Sequence, residues 1–222
     1  TMWEENDFPT NDKLNEMFPN KPVYFSRVDG HAALVNKKAL EISGITLETK
    51  IDGGDILVKD GELTGVLIDN AMEKVKIKIP DIPTEDKLKW LQTAEQELFA
   101  AGLTSINDAG IDPKMRENYI QWYSKGDLTI KLYSMLSPAE ENINFASENG
   151  IYKEGNLHIR SFKLYADGAL GSRGACLLDP YSDDTTNAGF LLADTVWIRE
   201  FAELAVELGY QVNTHAIEIG RA

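Results

Sequence analysis

Four residues in the second half of the chain stand in or at the ends of predicted strands. Asp108, Asp167 and His215 lie where three strands end, and Lys163 lies inside the strand that Asp167 ends. Parallel sheets and barrels carry their functional groups at the carboxyl ends of the strands. Carboxylate, imidazole and amine groups at such an edge could transfer protons or bind a ligand. These residues are therefore the first candidates for a functional site.

Lys163 stands out because its strand is otherwise largely apolar. Strand alternation predicts that its side chain shares a face with Ser161 and Tyr165. Burying an ammonium group is costly unless the group is paired or modified. The lysine therefore reaches solvent, pairs with Asp167 or Asp108, or carries a modification, and the residues alone leave these alternatives open.

The other candidates also have structural interpretations. His215 could be a core histidine, and Asp108 and Asp167 could cap the helices that follow them. His31, in an Asp-Gly-His sequence, could be a turn residue. The chain has three histidines, and their wide separation does not define a metal site by spacing.

A glycine-rich segment follows at residues 168–174 and contains Arg173. Glycines permit close approach of the backbone to a ligand. The segment lacks the Gly-Lys-Ser/Thr ending of a P-loop and does not match G-x-G-x-x-G, so nucleotide binding is a weak alternative. We interpret it as a strand-to-helix loop that lines a substrate site. The sequence contains no G-x-S-x-G motif around Ser105 or Ser172, which argues against a serine hydrolase.

Helices and strands are predicted to alternate from about residue 85 onward. The first helix is capped by Thr84, the second lies between Asp112-Pro113 and Gly126, and the third begins at a capping box in residues 137–140. Strands are predicted at residues 103–108, 128–136, 157–167 and 210–217. This alternation is typical of an α/β parallel sheet, either open or closed as a (β/α)₈ barrel.

Residues 1–83 are predicted to form a separate, small α+β module. It includes a helix over residues 32–43 and a hairpin that turns at Asp60-Gly61. Residues 84–222 contain only four predicted strands, whereas a whole barrel needs about 200 to 250 residues. Half of such a barrel fits these residues and a whole one does not, so an open sheet and part of a barrel both stay possible.

Composition limits the classes of partner. The 222 residues carry a net charge of -14, spread over both halves, which predicts a solvated surface and argues against nucleic acid and anionic membranes. No apolar stretch approaches the roughly 18 to 20 residues of a membrane-spanning helix. The single Cys176 excludes an internal disulfide and leaves the compartment undetermined. A sheet that ends on an open parallel edge predicts dimerisation, as a homodimer, or poor behaviour at low concentration.

Five segments together resemble the metal-dependent amidohydrolases of family 3, the group that includes the N-substituted formamide deformylases. They are residues 27–33, 65–71, 102–110, 162–174 and 213–217. The most specific is the string Lys-x-x-x-Asp-Gly-x-x-Gly-Ser-Arg that begins at Lys163. The segments follow the family's order over essentially residues 3–217.

The resemblance implies hydrolysis of a non-peptide C–N bond, in an amide or cyclic amide, by water activated on one or two divalent metals. It implies that Lys163, once carboxylated, bridges two metals and that His215 is the metal ligand of the fifth barrel strand. Zinc is the expected metal, and a small-molecule amide the expected substrate. Substrate-binding roles are expected for four residues, and no catalytic residue is assigned. The four are His31, Asp108, Asp167 and Arg173.

The chain also departs from the family pattern. The His-x-His of the first barrel strand is absent, as are the histidine and the aspartate expected after the fifth strand. We therefore expect an interior piece of an amidohydrolase, made of the α+β insertion module and about half of the family's TIM-like barrel. It is expected to lack a complete metal site and to be inactive alone. The alternative is a natural, non-catalytic α/β module that binds small molecules on the same scaffold.

Overall fold

The chain folds as two units in the computed structural model, which describes residues 8–218. The first unit comprises the described residues up to Pro80, together with Tyr165–Asp194 and residues 216–218. The second comprises Asp81–Leu164 and Thr195–His215.

The first unit is built on a four-stranded antiparallel sheet. Its strands and helices are, in chain order, α1 (Asp12–Met17), β1 (Tyr24–Ser26), β2 (Ala32–Val35), α2 (Lys37–Ile42), β3 (Gly54–Lys59), β4 (Glu62–Asp69) and α3 (Glu73–Lys76). The strand order is β1-β2-β4-β3, so β4 lies inside the sheet and is buried along most of its length. Strand β4 ends at Asp69.

The hairpin between β3 and β4 forms as predicted. Asp60 and Gly61 both have positive φ, 52° and 80°. Positive φ at both central residues is typical of a type I′ turn, whose twist matches that of the flanking strands.

The helix predicted over residues 32–43 is wrong in its first part. Ala32–Val35 is a strand paired with β1 and β4, and the helix begins only at Lys37. The change occurs at the fully buried Asn36, whose side chain accepts a hydrogen bond from the backbone N–H of Ala39 and so caps α2. Pairing with the sheet outweighed the local preference of the two alanines for helix.

The second unit is an α/β sheet with helices between its strands. Its elements are α4 (Thr84–Ala100), β5 (Ser105–Ile111), α5 (Pro113–Lys125), β6 (Lys131–Leu136), α6 (Glu140–Asn149), β7 (Tyr152–Glu154), β8 (Leu157–Tyr165), α7 (Thr195–Glu207) and β9 (Gln211–His215). Strands β5, β6 and β8 are parallel neighbours, β7 is antiparallel to β8, and β9 also pairs with β8. The α/β class with a parallel sheet is therefore established, and closure into a barrel stays a prediction.

The two faces of this sheet differ in chemistry. On the core face, Leu136, Ile159 and Phe162 are fully buried, and the Phe162 ring lies 5.1 Å from that of Phe201 of α7. The alternate residues point the other way. We call this opposite side the polar face, and its residues are Tyr133, Met135, His158, Ser161, Lys163, Gln211, Asn213 and His215.

Side-chain contacts connect the strands across the polar face. The Tyr133 hydroxyl lies 3.3 Å from Gln211 Oε1, and Asn213 Nδ2 lies 3.5 Å from the Met135 sulfur. These contacts show that β6 and β9 present the same polar face on either side of β8.

Helix boundaries were predicted unevenly. Helix α5 begins as expected, with the Asp112 carboxylate accepting from the N–H of Met115 at 2.7 Å, and it ends at Gly126 in the left-handed conformation. The other two predicted caps are wrong, since Thr84 is the first helical residue of α4 and Ala139 precedes α6 without a side-chain cap.

No helix within residues 8–218 is long and apolar enough to cross a membrane.

Asn142 takes the place of the expected capping box. Its side-chain amide is fully buried and donates to the carbonyls of Ile111 and Ser137 and to the Ser137 hydroxyl, at 3.0 to 3.1 Å. Its carbonyl oxygen accepts from the buried guanidinium of Arg116 at 2.9 Å, and that guanidinium stacks on the Phe145 ring. One amide thus satisfies buried polar groups of β5, α5 and the segment before α6.

We predict that Asn142→Ala lowers the free energy of unfolding by about 2 to 4 kcal/mol, because it removes the buried hydrogen bonds of this amide to the Arg116 guanidinium and to groups of Ile111 and Ser137. Urea denaturation measures this change. The matched control is Asn149→Ala in the same helix, which removes one exposed bond to Phe145 and costs within about 0.5 kcal/mol. Equal effects of the two variants would contradict the role of the buried network.

Candidate active site

Lys163 and His215 lie on the polar face of the second unit, on two strands that pair with each other. Phe162 and Leu164 point into the core, so alternation places Lys163 opposite them. In β9, Val212 packs against the core, which places His215 on the polar face as well. Both residues lie near the carboxyl ends of their strands. The structure therefore brings the two predicted metal ligands to one face and one end of the sheet.

The Lys163 amine is half-buried and donates a hydrogen bond to the Leu164 carbonyl at 2.8 Å. Burial lowers the pKa of this amine below the usual value for lysine, because desolvation disfavours the charged form. A larger fraction of the side chain is therefore neutral than for an exposed lysine. The neutral amine is the form that reacts with carbon dioxide to give a carbamate.

The donor set fits part of a metal centre. An imidazole and a carboxylated lysine supply nitrogen and oxygen ligands that suit zinc and other divalent metals. A zinc site needs three or four protein ligands. Within residues 8–218, no group of three or more histidine, cysteine, aspartate or glutamate side chains is placed to hold a metal. The described residues thus fit two ligand positions and no complete site.

Asp108 points towards the helices rather than to the polar face. Its carboxylate accepts a hydrogen bond from the Tyr119 hydroxyl of α5 at 2.7 Å. Burial, followed by the nearby Asp108 charge, raises the pKa of Tyr119 well above its ordinary value, so this hydroxyl stays a donor. Ile106, which strand alternation places on the same face of β5 as Asp108, packs against the core, in agreement with this orientation.

Asp167, in the first unit, is a buried carboxylate that organises its own loop. Its oxygens accept from the backbone N–H of Cys176 at 3.0 Å and from that of Ile217 at 3.1 Å. Cys176 is itself buried. The same loop is held further by the Tyr181 hydroxyl, which donates to the Ala175 carbonyl at 2.9 Å. Asp167 therefore fixes the chain that surrounds residues 168–174.

Arg173 lies in that segment with a left-handed backbone, at φ 58°. Its guanidinium forms an ion pair with Asp183, 3.0 Å from Nη2 to Oδ2. The Arg173 side chain is partly exposed and that of Asp183 mostly so, which makes the pair accessible from solvent.

His31 forms a close pair with Asp69 in the first unit. The distance from His31 Nδ1 to Asp69 Oδ1 is 2.6 Å. The Asp69 side chain is 3% exposed and that of His31 is 15% exposed, so the carboxylate lies inside and the imidazole lies nearer the surface. Burial raises the pKa of Asp69 above its usual range, although the hydrogen bond and charge of His31 act in the other direction.

Residues 168–174 enclose this carboxylate. A Cβ atom at Gly168 would overlap Asp69 Oδ2, and so would a Cβ atom at Gly174. Within the described residues, Oδ2 is buried and has no hydrogen-bond partner. The two glycines are therefore required by the carboxylate that they contact.

Sequence reasoning missed Asp69 as a functional candidate. It lies in one of the family-like segments, where the second strand of the predicted hairpin ends. Several other residues of these segments lie at comparable positions, so this feature alone did not single it out. What distinguishes Asp69 is its positive φ and the approach of two distant glycines, and neither leaves a local signal. Its position at a strand end was the one available indication.

A cavity of about 440 Å³ lies at the other end of the second unit's sheet. It is lined by the first residues of β5, β6 and β8 and includes Lys131, Lys153 and His158. The pKa of His158 is lowered, first by burial and then by Arg160 and Lys153. This cavity therefore lies away from the carboxyl ends of the strands, where Lys163 and His215 are found.

The whole chain matches one family of enzymes. The sequence profile described as the amidohydrolase family, of the family-3 type, matches residues 1–222. The chain therefore belongs to this amidohydrolase family.

Individual relatives agree with this assignment. YtcJ of Bacillus subtilis, whose name describes an amidohydrolase, is 28% identical over 235 positions, which cover 97% of this chain and 42% of YtcJ. The N-substituted formamide deformylase of Arthrobacter pascens is 27% identical over 57% of this chain and 24% of its own length. A crystal structure of a metal-dependent hydrolase from Pyrococcus horikoshii has a TM-score of 0.68 at 28% identity and is matched over 96% of this chain and 42% of its own.

The chain thus spans less than half the length of these proteins. They confirm the family that the sequence motifs indicated. They do not single out the deformylases within it, so that closer resemblance stays a prediction.

We predict that Gly168→Ala and Gly174→Ala each lower the free energy of unfolding by about 1 to 3 kcal/mol, because the added methyl group overlaps the Asp69 carboxylate. Neither glycine has a positive φ, so the effect is steric. Gly171→Ala is the matched control in the same segment. Nothing lies within 4 Å of its Cβ position, and a change within about 0.5 kcal/mol is expected by chemical denaturation. If Gly171→Ala were equally harmful, the contact with Asp69 would not be the cause.

We also predict that Asp69 makes the wild type less stable, relative to Asp69→Asn, as the pH rises. The pKa of Asp69 is raised in the folded state. Between the unfolded value, about 3.9, and the folded one, the native state binds more protons than the unfolded state. The free-energy difference between the two proteins therefore moves against the wild type across this window and then levels off.

Asp183→Asn is the control for that measurement, with the opposite sign. The hydrogen bond from Arg173 lowers the pKa of Asp183, so the wild type loses stability relative to this variant as the pH falls. Thermal unfolding from about pH 3 to 8 measures both trends. A pH-independent difference for Asp69→Asn would exclude a raised pKa at that carboxyl.

Proposed function

We propose that the protein containing this chain is a metal-dependent hydrolase of non-peptide C–N bonds in amides or cyclic amides. One observation carries the proposal: Lys163 and His215 share the polar face of paired strands near their carboxyl ends, in a chain of the amidohydrolase family. The metal-dependent hydrolase of Pyrococcus horikoshii, similar in fold, supports the same reaction class.

Lys163 and His215 are proposed to supply two ligands to the metal of the whole protein, with zinc as the expected ion. The neutral amine of Lys163 forms an N–C bond to carbon dioxide and releases a proton, which gives an anionic carbamate. When bound, the metal lowers the pKa of a water ligand and polarises the substrate carbonyl. The lowered pKa of Lys163 supports this role because it increases the reactive, neutral form.

For substrate binding, the surroundings favour His31 and Arg173 over the two aspartates. Asp108 accepts a hydrogen bond from the Tyr119 hydroxyl, and Asp167 accepts from two backbone N–H groups. Each carboxylate thus stabilises the unit in which it lies. The side chains of His31 and Arg173 are 15% and 31% exposed. They are therefore the residues that we propose for contact with a small-molecule amide.

The test uses the complete gene product that contains this chain, loaded with zinc and assayed on N-formyl amines and cyclic amides. Release of amine or acid measures hydrolysis, and plasma mass spectrometry measures bound metal. Lys163→Ala and His215→Ala are each expected to lower kcat/KM at least about 100-fold and to reduce the metal content.

His158→Ala is the matched control, because this histidine lies on the same face of the same strand but at its amino end. It is expected to leave kcat/KM within about twofold. Full activity of both ligand variants would refute the site. A protein that retains its metal but hydrolyses neither substrate class would instead support the binding-module alternative.

A further inference from the structure

Asp69 concentrates three energetic costs in one residue. Its backbone has φ 47° and ψ -121°, a conformation that side-chain-bearing residues rarely adopt and that costs about 1 to 3 kcal/mol. Its carboxylate is almost completely buried, and one of its two oxygens has no hydrogen-bond partner within residues 8–218. A packing role alone would be met at lower cost by a neutral residue.

The geometry directs the carboxylate at a single partner. The Oδ1 atom lies 2.6 Å from His31 Nδ1, whereas Gly168 and Gly174 close the space around Oδ2. The backbone adds a second constraint, since the Asp69 N–H donates to the His31 carbonyl at 3.2 Å. Asp69 therefore constrains both the position and the rotation of the imidazole.

This contact selects one form of the ring. A carboxylate oxygen can only accept, so Nδ1 must carry the hydrogen. In the neutral imidazole the lone pair then lies on Nε2, the nitrogen directed away from the carboxylate. A hydrogen bond from one ring nitrogen orients histidines in the same way in catalytic triads and in metal sites. There, the other ring nitrogen accepts a proton or binds the metal.

We propose that Asp69 is the positioning residue of His31, holding its Nδ1–H form so that Nε2 accepts a hydrogen bond from the N–H group of an amide substrate. The buried carboxylate and the two glycines keep the ring in place, and the partly exposed imidazole makes the contact. This inference rests on the proposed function for the amide, while the state of the ring is independent of it.

The first test measures the ring directly in the chain, without a substrate. Two-bond ¹H–¹⁵N spectra distinguish a protonated ring nitrogen from one with a lone pair, and the chain has only three histidines. The His31 signals are identified by their loss in His31→Gln. At about pH 9, where histidines are neutral in general, we expect Nδ1 of His31 to be the protonated nitrogen. Protonation of Nε2 instead would overturn the proposal, and this result needs no Asp69 variant.

Two variants separate a positioning role from a structural one. Asp69→Asn is expected to change the Nδ1/Nε2 pattern of His31 while the remaining amide spectrum stays folded. The control is Asp29→Asn, because Asp29 accepts from the His31 backbone N–H at 3.2 Å and not from its ring. It is expected to leave the pattern unchanged. A folded Asp69→Asn protein with an unchanged His31 ring would refute the positioning role.

Activity of the complete gene product completes the test. Asp69→Asn and His31→Gln are each expected to lower kcat/KM by about 10- to 100-fold, and the double variant to lose little more than either. Additive losses would show that the two residues act separately and overturn the proposal. If the protein hydrolyses no amide at all, the proposed function fails, whereas the ring measurement still decides the role of Asp69.

Discussion

Alternation along strand β8 is the constraint on which the second unit depends. Because neighbouring residues of a strand point to opposite faces, Phe162 and Leu164 enter the core and thereby place Lys163 on the polar face. Pairing with β6 and β9 holds that strand on both sides. A lysine that would be costly in the core is thus kept at the interface between an apolar interior and a polar surface, where its amine is partly desolvated but still hydrogen-bonded.

The first unit contains buried carboxylates, which need partners or enclosure to be stable. Its sheet ends at Asp69, and two glycines from a segment about 100 positions later in the sequence approach the carboxylate from the other side. Asp167 fixes that segment through backbone N–H groups, so one buried aspartate supports the surroundings of another. The imidazole of His31 is the only side chain in the described part of the chain that hydrogen-bonds to the Asp69 carboxylate.

The sequence predicted those features that depend on local chemistry. The type I′ hairpin at Asp60-Gly61 and the Asp112 cap follow from residue types at fixed spacing, and both are present. Residues 32–35 were predicted incorrectly because sheet pairing overrode helix propensity, and the box before α6 because Asn142 uses the Ser137 groups for a buried network. At the site, alternation gave the face of Lys163. The hydrogen bond of Asp108 to Tyr119 of the next helix and the enclosure of Asp69 by glycines about 100 positions later left no signal in the sequence motifs.

The hydrogen bond between Asp167 and the backbone of Cys176 also places a buried thiol in the loop, and the reactivity of this thiol can be measured. Cys176 is the chain's single cysteine, and its thiol is buried for as long as this loop keeps its native conformation. A thiol reagent can reach it only when the loop opens locally, so the rate of labelling reports the free energy of that opening rather than of global unfolding. The chain thus carries a built-in chemical probe for the loop that follows β8.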